Sequence, residues 1–409
     1  MNITLRMAWR NLWRHKRRTW LTVGAMIFSN LILVFAISLQ FGSYQMMIDN
    51  TLKAYTGHLQ IQREGYNDEP RMRSSIENII PLADRVRQHL DNDKVAARGV
   101  SFAITSSEER SYGLQLIGVE PDFEVNVSSL PGLIKQGHYF TDINAAEILI
   151  GTVLARNLRV KTGDELTLLG SGHDGSFAAG IVNVTGIFES GTADVDRSMA
   201  QLPIGYFQDL FGMEGHGHNI VINAPDLPSV SALQIDVTNM LSDNKELIVL
   251  DWMKLQPGLK QAIQADLASA WFMYAVLIIL VAFSVLNTQL MSVLERTREF
   301  GVMMALGLKP TRLGALVMTE TALMSALGLA IGAFFGFMLT YYLSIVGFSY
   351  PGMEEMAAQF NLPDRMYPSL SVLSIMLGPG IIFICSLLAS IYPSLRLYYL
   401  QPVSAMRAV

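Results

Sequence analysis

The loop Glu295-Arg-Thr-Arg-Glu-Phe-Gly-Val-Met-Met-Ala-Leu-Gly-Leu308 gathers the residues of this chain best suited to specific contacts. Glu295 and Glu299 lie four apart, and Arg298 falls beside Glu295 at i+3. Met303, Met304 and Leu306 supply an apolar side, and Gly307 reads as the helix stop. A short helix of this kind fits the groove of another protein, and it would equally suit a membrane interface. Its chemistry is recognition, not bond making. No Walker phosphate loop, Gly-rich dinucleotide fingerprint, H-E-x-x-H, C-x-x-C or G-x-S-x-G occurs, so the chain is not expected to hydrolyse ATP itself. His216 and His218, at i, i+2 on a Gly-rich loop, make at most half a metal site. His173-Asp-Gly175 reads as a hairpin turn. Asn126-Val-Ser and Asn183-Val-Thr match the glycosylation sequon, a pattern common by chance. The single cysteine, Cys385, excludes an intrachain disulfide.

The elements that must position this loop are apolar. Thr19–Ile48, Leu267–Leu294, Thr321–Met353 and Met366–Leu395 carry no Asp, Glu, Lys or Arg. Crossing a bilayer takes about 20 such residues. Spans are therefore expected over 19–48, 267–294, 313–346 and 368–395. The first charge-free run is too long for a signal peptide's apolar core, so an uncleaved anchor is expected.

Charge is segregated along the chain. Residues 1–18 hold Arg6, Arg10, Arg14, Lys16, Arg17 and Arg18 and no acid. The loop 295–312 holds four basic and two acidic residues, and the tail 396–409 adds Arg396 and Arg407. The insert 49–266 holds 17 basic and 29 acidic residues. In the short loop 347–367, Arg365 faces Glu354, Glu355 and Asp364 in number. Basic short loops stay cytoplasmic. The expectation is an α-helical membrane protein with four transmembrane helices, N-in and C-in. A large mixed α+β domain outside the cytoplasm then separates the first helix from the second.

Arg6, Arg10 and Arg14 share one face of an amphipathic helix whose other side carries Leu5, Trp9, Leu12 and Trp13, an interfacial anchor at a span entrance. Gly328, Gly332 and Gly336 form a smooth stripe every fourth residue, as close helix packing requires. Glu320 is the only acid near a span interior, placed either to pair with a base or to reach the cytoplasmic interface.

Within the insert, alternation predicts strands at 58–62, 97–105, 114–119, 165–169, 179–188, 219–223 and 246–250. Glu147–Leu158 reads as a strand turning into a helix at Gly151, and helices are expected over 81–92 and 227–241. Helical stalks are expected at both ends, over 41–55 and 251–266. Two subdomains are expected, with a hinge near Pro121–Gln136.

At the loop the chain resembles the FtsX-like permease family of ABC transporters, which includes macrolide-exporter, lipoprotein-releasing and cell-division types. The residues carrying the resemblance are Glu295, Arg296, Arg298, Glu299, Phe300, Gly301, Val302, Ala305, Leu306 and Gly307, followed by Glu320. Ala8-Trp-Arg-Asn-Leu12 with its basic run, Tyr55–Ile61, Ile150–Ala155, Val160–Asp164, Thr185–Phe188 and Gln401-Pro-Val-x-Ala-Met-Arg407 resemble further family motifs. The opening Trp9–Arg14 departs from the lipoprotein-releasing subunits and leaves the cargo open.

The resemblance implies a bacterial inner-membrane permease with a periplasmic insert. It implies a cytoplasmic ATPase dimer as partner, a second permease copy (identical or homologous), and a periplasmic lipoprotein, adaptor or effector. ATP and Mg would be held by the ATPase, with no cofactor in this chain and no nucleic acid. The loop, Met304 included, would be the ATPase-coupling helix. The permease would work by mechanotransmission, either releasing lipoprotein or another amphipathic cargo, or signalling to a periplasmic enzyme or efflux adaptor. A membrane-anchored hydrolase would need a Ser/His/Asp or metal set that the sequence does not display.

Overall fold

The computed structural model describes residues 3–14, 16–242, 244–349, 351–353 and 365–399. The motif at Gln401–Arg407 and the acids Glu354, Glu355 and Asp364 lie outside them. The chain divides into two compact units, Met1–Tyr44 with Ala262–Tyr350 and Arg365–Val409, and Gln45–Gln261 with Pro351–Asp364.

The first unit is helical. Among the described residues, four helices are long and apolar enough to cross a membrane. The first runs Lys16–Thr51, the second Pro257–Glu295, the third Pro310–Val346 and the fourth Val372–Arg396. The fourth begins four residues beyond the expected 368, where Ser371 and Ser374 close a capping box. Met26, Leu33 and Ile37 of the first helix pack with Tyr274, Ile278, Val281 and Val285 of the second and Ile382 of the fourth. Polar contacts tie the first helix to the second and third: the Thr22 and Thr288 hydroxyls lie 2.9 Å apart, and Asn30 Nδ2 donates to Gly328 O at 3.3 Å.

The glycine stripe of the third helix faces the first. A Cβ added at Gly328 would lie 2.7 Å from Met26 Cβ, one at Gly332 2.6 Å from Asn30 Cβ, and one at Gly336 2.8 Å from Val34 Cβ. These approaches are too close for any side chain. Gly42, which the sequence reading passed over, sits still tighter, against the backbone of Tyr367–Ser369. We expect Gly332→Leu and Gly42→Ala each to destabilise this packing, by roughly 1–3 kcal/mol for the overpacked site. Thermal unfolding of purified variants checks this, and a wild-type midpoint in Gly332→Leu would exclude a tight seam.

The second unit is one sheet of ten strands. These are β1 (Leu59–Arg63), β2 (Val95–Ser106), β3 (Ser111–Val119), β4 (Ile134–Gly137), β5 (Glu147–Gly151), β6 (Glu165–Ser171), β7 (Phe177–Phe188), β8 (Met199–Pro203), β9 (Asn219–Ile222) and β10 (Leu247–Asp251). The order is β10-β1-β9-β2-β3-β8-β5-β7-β4, with β6 bridging β2 and β7. Four apolar clusters lie on it, two of them large. One joins Leu59, Ile61, Val95, Ala97, Ile220 and Ile222 to the helices Ile79–Leu90 and Val230–Met240. The other joins Leu114, Leu116, Ile148, Ile150, Leu166 and Val182 to the helices Thr152–Leu158 and Ile204–Phe211.

The structure corrects three expectations here. The two large clusters are separate, yet β2 gives Val95 and Ala97 to one and Ala103 to the other within a single sheet, so the insert is not two subdomains. The hinge at Pro121–Gln136 is instead the helix Pro121–Val127, a 3-10 turn and β4, and it buries Glu124 completely. The stalk over 251–266 is not one helix: Trp252–Leu255 is a separate turn, and Gln256 breaks it from the helix that starts at Pro257.

Buried charge explains that ordered helix. Arg98 and Glu124 are both fully buried, with Arg98 Nη2 2.6 Å from Glu124 Oε1 and Nε 3.0 Å from Oε2. Arg87 pairs with Glu120 at 2.7 Å, and Glu120 also accepts the Ala97 N–H at 2.7 Å. Arg98 further donates to the Tyr55 carbonyl. That carbonyl belongs to a π-helical turn, Leu52–Thr56, which prolongs the first long helix and ends at Gly57 with φ +72°. A helix end leaves its last four carbonyls without partners. Here all four are taken: Lys53 O by Ser129 N at 2.8 Å, Ala54 O by Ser128 Oγ at 3.0 Å, Tyr55 O by Arg98, and Thr56 O by Gln60 Nε2 at 2.6 Å.

His218 is structural. Its Nδ1 accepts the Val100 N–H at 2.9 Å, its Nε2 faces Met72 O at 3.2 Å, and Tyr66 stacks on its ring. This arrangement requires a neutral ring, and burial pushes its pKa down to about 4. The unfolded chain therefore binds one more proton between pH 6.5 and 4. His218 contributes stability above pH 6.5 that is lost as pH falls toward 4, up to about 3 kcal/mol. Denaturant titrations at pH 7 and pH 4.5 should differ in this sense, and less so in His218→Gln.

Candidate coupling site

The loop helix occupies Thr297–Ala305. Glu295 does not open it, as expected from the sequence, but ends the second long helix, and Arg296 is the break between them. Gly307 follows with φ +93°, a backbone conformation that glycine adopts without strain.

Arg296 is buried at that break and organises the site. Its Nη1 lies 3.0 and 3.2 Å from the two oxygens of Glu320, a charge-assisted contact from one nitrogen shared by both oxygens of a buried carboxylate. Its Nε donates to Glu299 Oε2 at 3.2 Å, and its guanidinium sits 5.0 Å from the Phe300 ring centroid. Asn11 Nδ2 donates to Glu320 Oε1 at 2.7 Å. Glu320 is thus held by two partners and does not reach the interface alone.

The amino-terminal helix Ile3–Arg14 closes the other side. Arg14 pairs with Glu299 at 2.7 Å and Arg18 with Glu295 at 2.7 Å. Glu299 is partly buried, which opposes its charge. Hydrogen bonds from Arg296 and Arg14 outweigh this and hold its carboxyl below the usual range. Arg6, Arg10, Lys16 and Arg17 are exposed. Trp9, Trp13 and Trp20 form an edge-to-face ladder with centroids 5.9 and 6.2 Å apart.

The candidate coupling residues divide into two faces. Phe300 is fully buried among Val293, Leu313, Val317 and Leu397, with Met303 and Met304 packed against them. Gly301 is buried too. These residues seat the helix. Arg298, Val302, Ala305 and Leu306 point out, Leu306 at 78 % exposure. The sequence alone put Phe300, Gly301 and Met304 with the contact residues; Phe300 and Gly301 are buried and Met304 is partly buried. Among the described residues, no group of three or more His, Cys, Asp and Glu could hold a metal ion. In the insert, His216 does not join His218 but lies with His173 around the Ser75 hydroxyl, at 3.0 and 3.2 Å.

Two family models cover nearly the whole chain. The MacB-like periplasmic core domain matches residues 19–240, and the FtsX-like permease C-terminal model matches residues 271–402. The chain belongs to the FtsX-like family of ABC transporter permeases. Among relatives of this permease, the lipoprotein-releasing system transmembrane protein LolC of Xylella fastidiosa is 24% identical over 316 residues, covering 73% of this chain and 74% of that protein. The corresponding protein LolE of Haemophilus influenzae is 26% identical over 318 residues, covering 75% and 76%. The macrolide export ATP-binding/permease protein MacB of Acinetobacter baylyi is 19% identical over 330 residues, covering 78% of this permease but 48% of that longer protein.

Proposed function

We propose that this permease couples ATP hydrolysis by a separate cytoplasmic ATPase dimer to conformational change in a periplasmic insert, and so releases lipoprotein or a similar amphipathic cargo from the inner membrane. It would work as a pair of permeases, with both termini and the loop 295–312 cytoplasmic, as the charge distribution supports. The observation carrying the coupling role is the two-faced loop helix. A buried ion pair and Phe300 fix its inner side, while Arg298, Val302, Ala305 and Leu306 face outward as an exposed apolar and basic ridge. Such a ridge fits a protein groove. The cargo assignment leans on the lipoprotein-releasing relatives. It also leans on an apolar sheet face in the insert, where Phe102, Ile104, Phe177 and Ile181 are exposed.

Leu306→Asp and Val302→Asp should release the ATPase while leaving the fold intact, because neither side chain packs internally. Co-purification from the native host in mild detergent, with mass spectrometry of the eluate, tests both steps. Loss of the ATPase from both variants, and lipoproteins in the wild-type eluate, are expected. An ATPase that still co-purifies with both variants would move the docking surface elsewhere. A periplasmic hydrolase in place of lipoproteins would favour signalling.

A further inference from the structure

Where the amino-terminal helix gives way to the first long helix, four basic residues line one hollow. Arg14, Lys16, Arg17 and Arg18 wall an open-sided space of about 440 Å³, with Glu295 as the acid on its lining. Two of the cations are engaged, Arg18 with Glu295 and Arg14 with Glu299, each at 2.7 Å. Lys16 and Arg17 are exposed and hold no acid among the described residues. Like charges gathered this closely repel one another, and an anion among them relieves the repulsion.

The surroundings indicate what carries that anion. Trp20 follows Lys16 by four residues and Arg17 by three, so it stands one turn further along the same helix face. It is exposed, and Trp13 meets it edge to face at 6.2 Å. Tryptophans at a span entrance sit at the headgroup level of a bilayer. Beyond it, Arg17, Leu21, Ala25 and Phe28 recur as one exposed stripe. Gly24 adjoins that stripe, and a Cβ there would meet nothing within 4 Å. One helix face thus presents cations at its end, an aromatic ring one turn in, and open apolar surface after that. A phospholipid has the same order of charge, interface and hydrocarbon.

We infer that this hollow binds the phosphodiester head of an anionic phospholipid, whose acyl chain lies along Leu21–Phe28. Lys16 and Arg17 hold the phosphate, and Arg18 is shared between it and Glu295. A zwitterionic head brings its own cation against four basic residues and binds less well. Free phosphate leaves the apolar stripe unused. Because Glu295 and the lipid compete for Arg18, the lipid also loosens the tie between the first long helix and the coupling loop. The inference goes beyond the coupling role and rests on the first long helix being a span.

The test titrates the full chain, purified and delipidated in mild detergent, with phosphatidylglycerol, phosphatidylcholine or inorganic phosphate, and reads bound lipid by native mass spectrometry. Phosphatidylglycerol should be retained in preference to phosphatidylcholine, and inorganic phosphate should not displace it. Lys16→Gln/Arg17→Gln should weaken retention roughly thirtyfold, about fivefold for each cation. Lys309→Gln/Arg312→Gln removes as much charge at exposed positions outside the hollow and should leave retention unchanged. Glu295→Gln frees Arg18 and should tighten retention roughly fivefold. All five side chains are exposed, so the fold does not depend on them. Equal losses in the two double variants would mean a diffuse positive field in place of a site. That result, equal retention of phosphatidylcholine, displacement by inorganic phosphate, or unchanged retention in Glu295→Gln would each overturn the inference. Lost retention in a chain that still recruits its ATPase would sink this site and spare the permease reading. Retained lipid without ATPase recruitment would do the reverse.

Discussion

Arg296→Met is expected to unseat the loop helix and abolish ATPase recruitment. Arg296 and Glu320 are both buried, and Arg296 Nη1 lies 3.0 and 3.2 Å from the two carboxylate oxygens. Removing one member strands the other charge without a partner. Breaking such a pair costs about 3–5 kcal/mol, far more than the pair's net contribution. Asn11 alone cannot neutralise the Glu320 carboxylate. The double variant Arg296→Met/Glu320→Leu removes both charges and should recover much of the loss, since an apolar replacement of a buried pair is often neutral. Thermal unfolding of the purified chain, read beside ATPase co-purification, separates these cases. A single variant as stable as the double would mean that water or lipid headgroups solvate Glu320, and the ion pair would not be the anchor.

The second large effect is expected at Arg98→Met. Arg98 is fully buried, shares two hydrogen bonds with the fully buried Glu124, and donates to Tyr55 O. Its loss strands Glu124 and uncaps the π-helical turn together. We expect roughly 3–5 kcal/mol of destabilisation from the stranded charge. A further ~1 kcal/mol should come from the lost cap. Arg98→Met/Glu124→Leu should restore the first part only, leaving a shortfall of about the cap's size. Chemical denaturation of the four species as a double-mutant cycle measures both parts. Strict additivity of the two single variants would exclude the coupling.

The charge-free runs and the charge balance were readable because a bilayer imposes composition over long windows. So were most strands, whose alternation reflects one buried face, as at Leu59 and Ile61. The loop motif was visible, but its two faces were not. Phe300 and Met304 look as available as Val302 and Leu306 until the ends of the flanking helices, at Val293 and Leu313, fold back on them and Leu397 arrives from the far end of the chain. The Arg98–Glu124 pair had no local signal, because the sequence holds many arginines and glutamates and only the fold brings two of them into the core. Short elements such as β8 and the helix Ile204–Phe211 were missed for want of periods to count. Gly42 sits in a span among Phe41 and Ser43, and nothing nearby announces that the backbone of Tyr367–Ser369 passes over it. A glycine flanked by larger residues in a spanning helix was the available clue, weaker than the three-glycine stripe beside which it was overlooked.

The four captured carbonyls of Lys53–Thr56 have a mechanical meaning. Four successive residues of a π-helical turn cover most of its circumference. Their donors come from β1, β2 and the turn at Ser128–Ser129, which are separate parts of the sheet domain. A rod gripped at one point passes on a pull but can spin in its socket. One gripped around its whole circumference also passes on torque. Gln256, where the chain leaves the sheet, breaks the helix on its way out, yet its side chain donates to Thr56 Oγ1 at 3.0 Å, so the exit is tied to the same gripped turn.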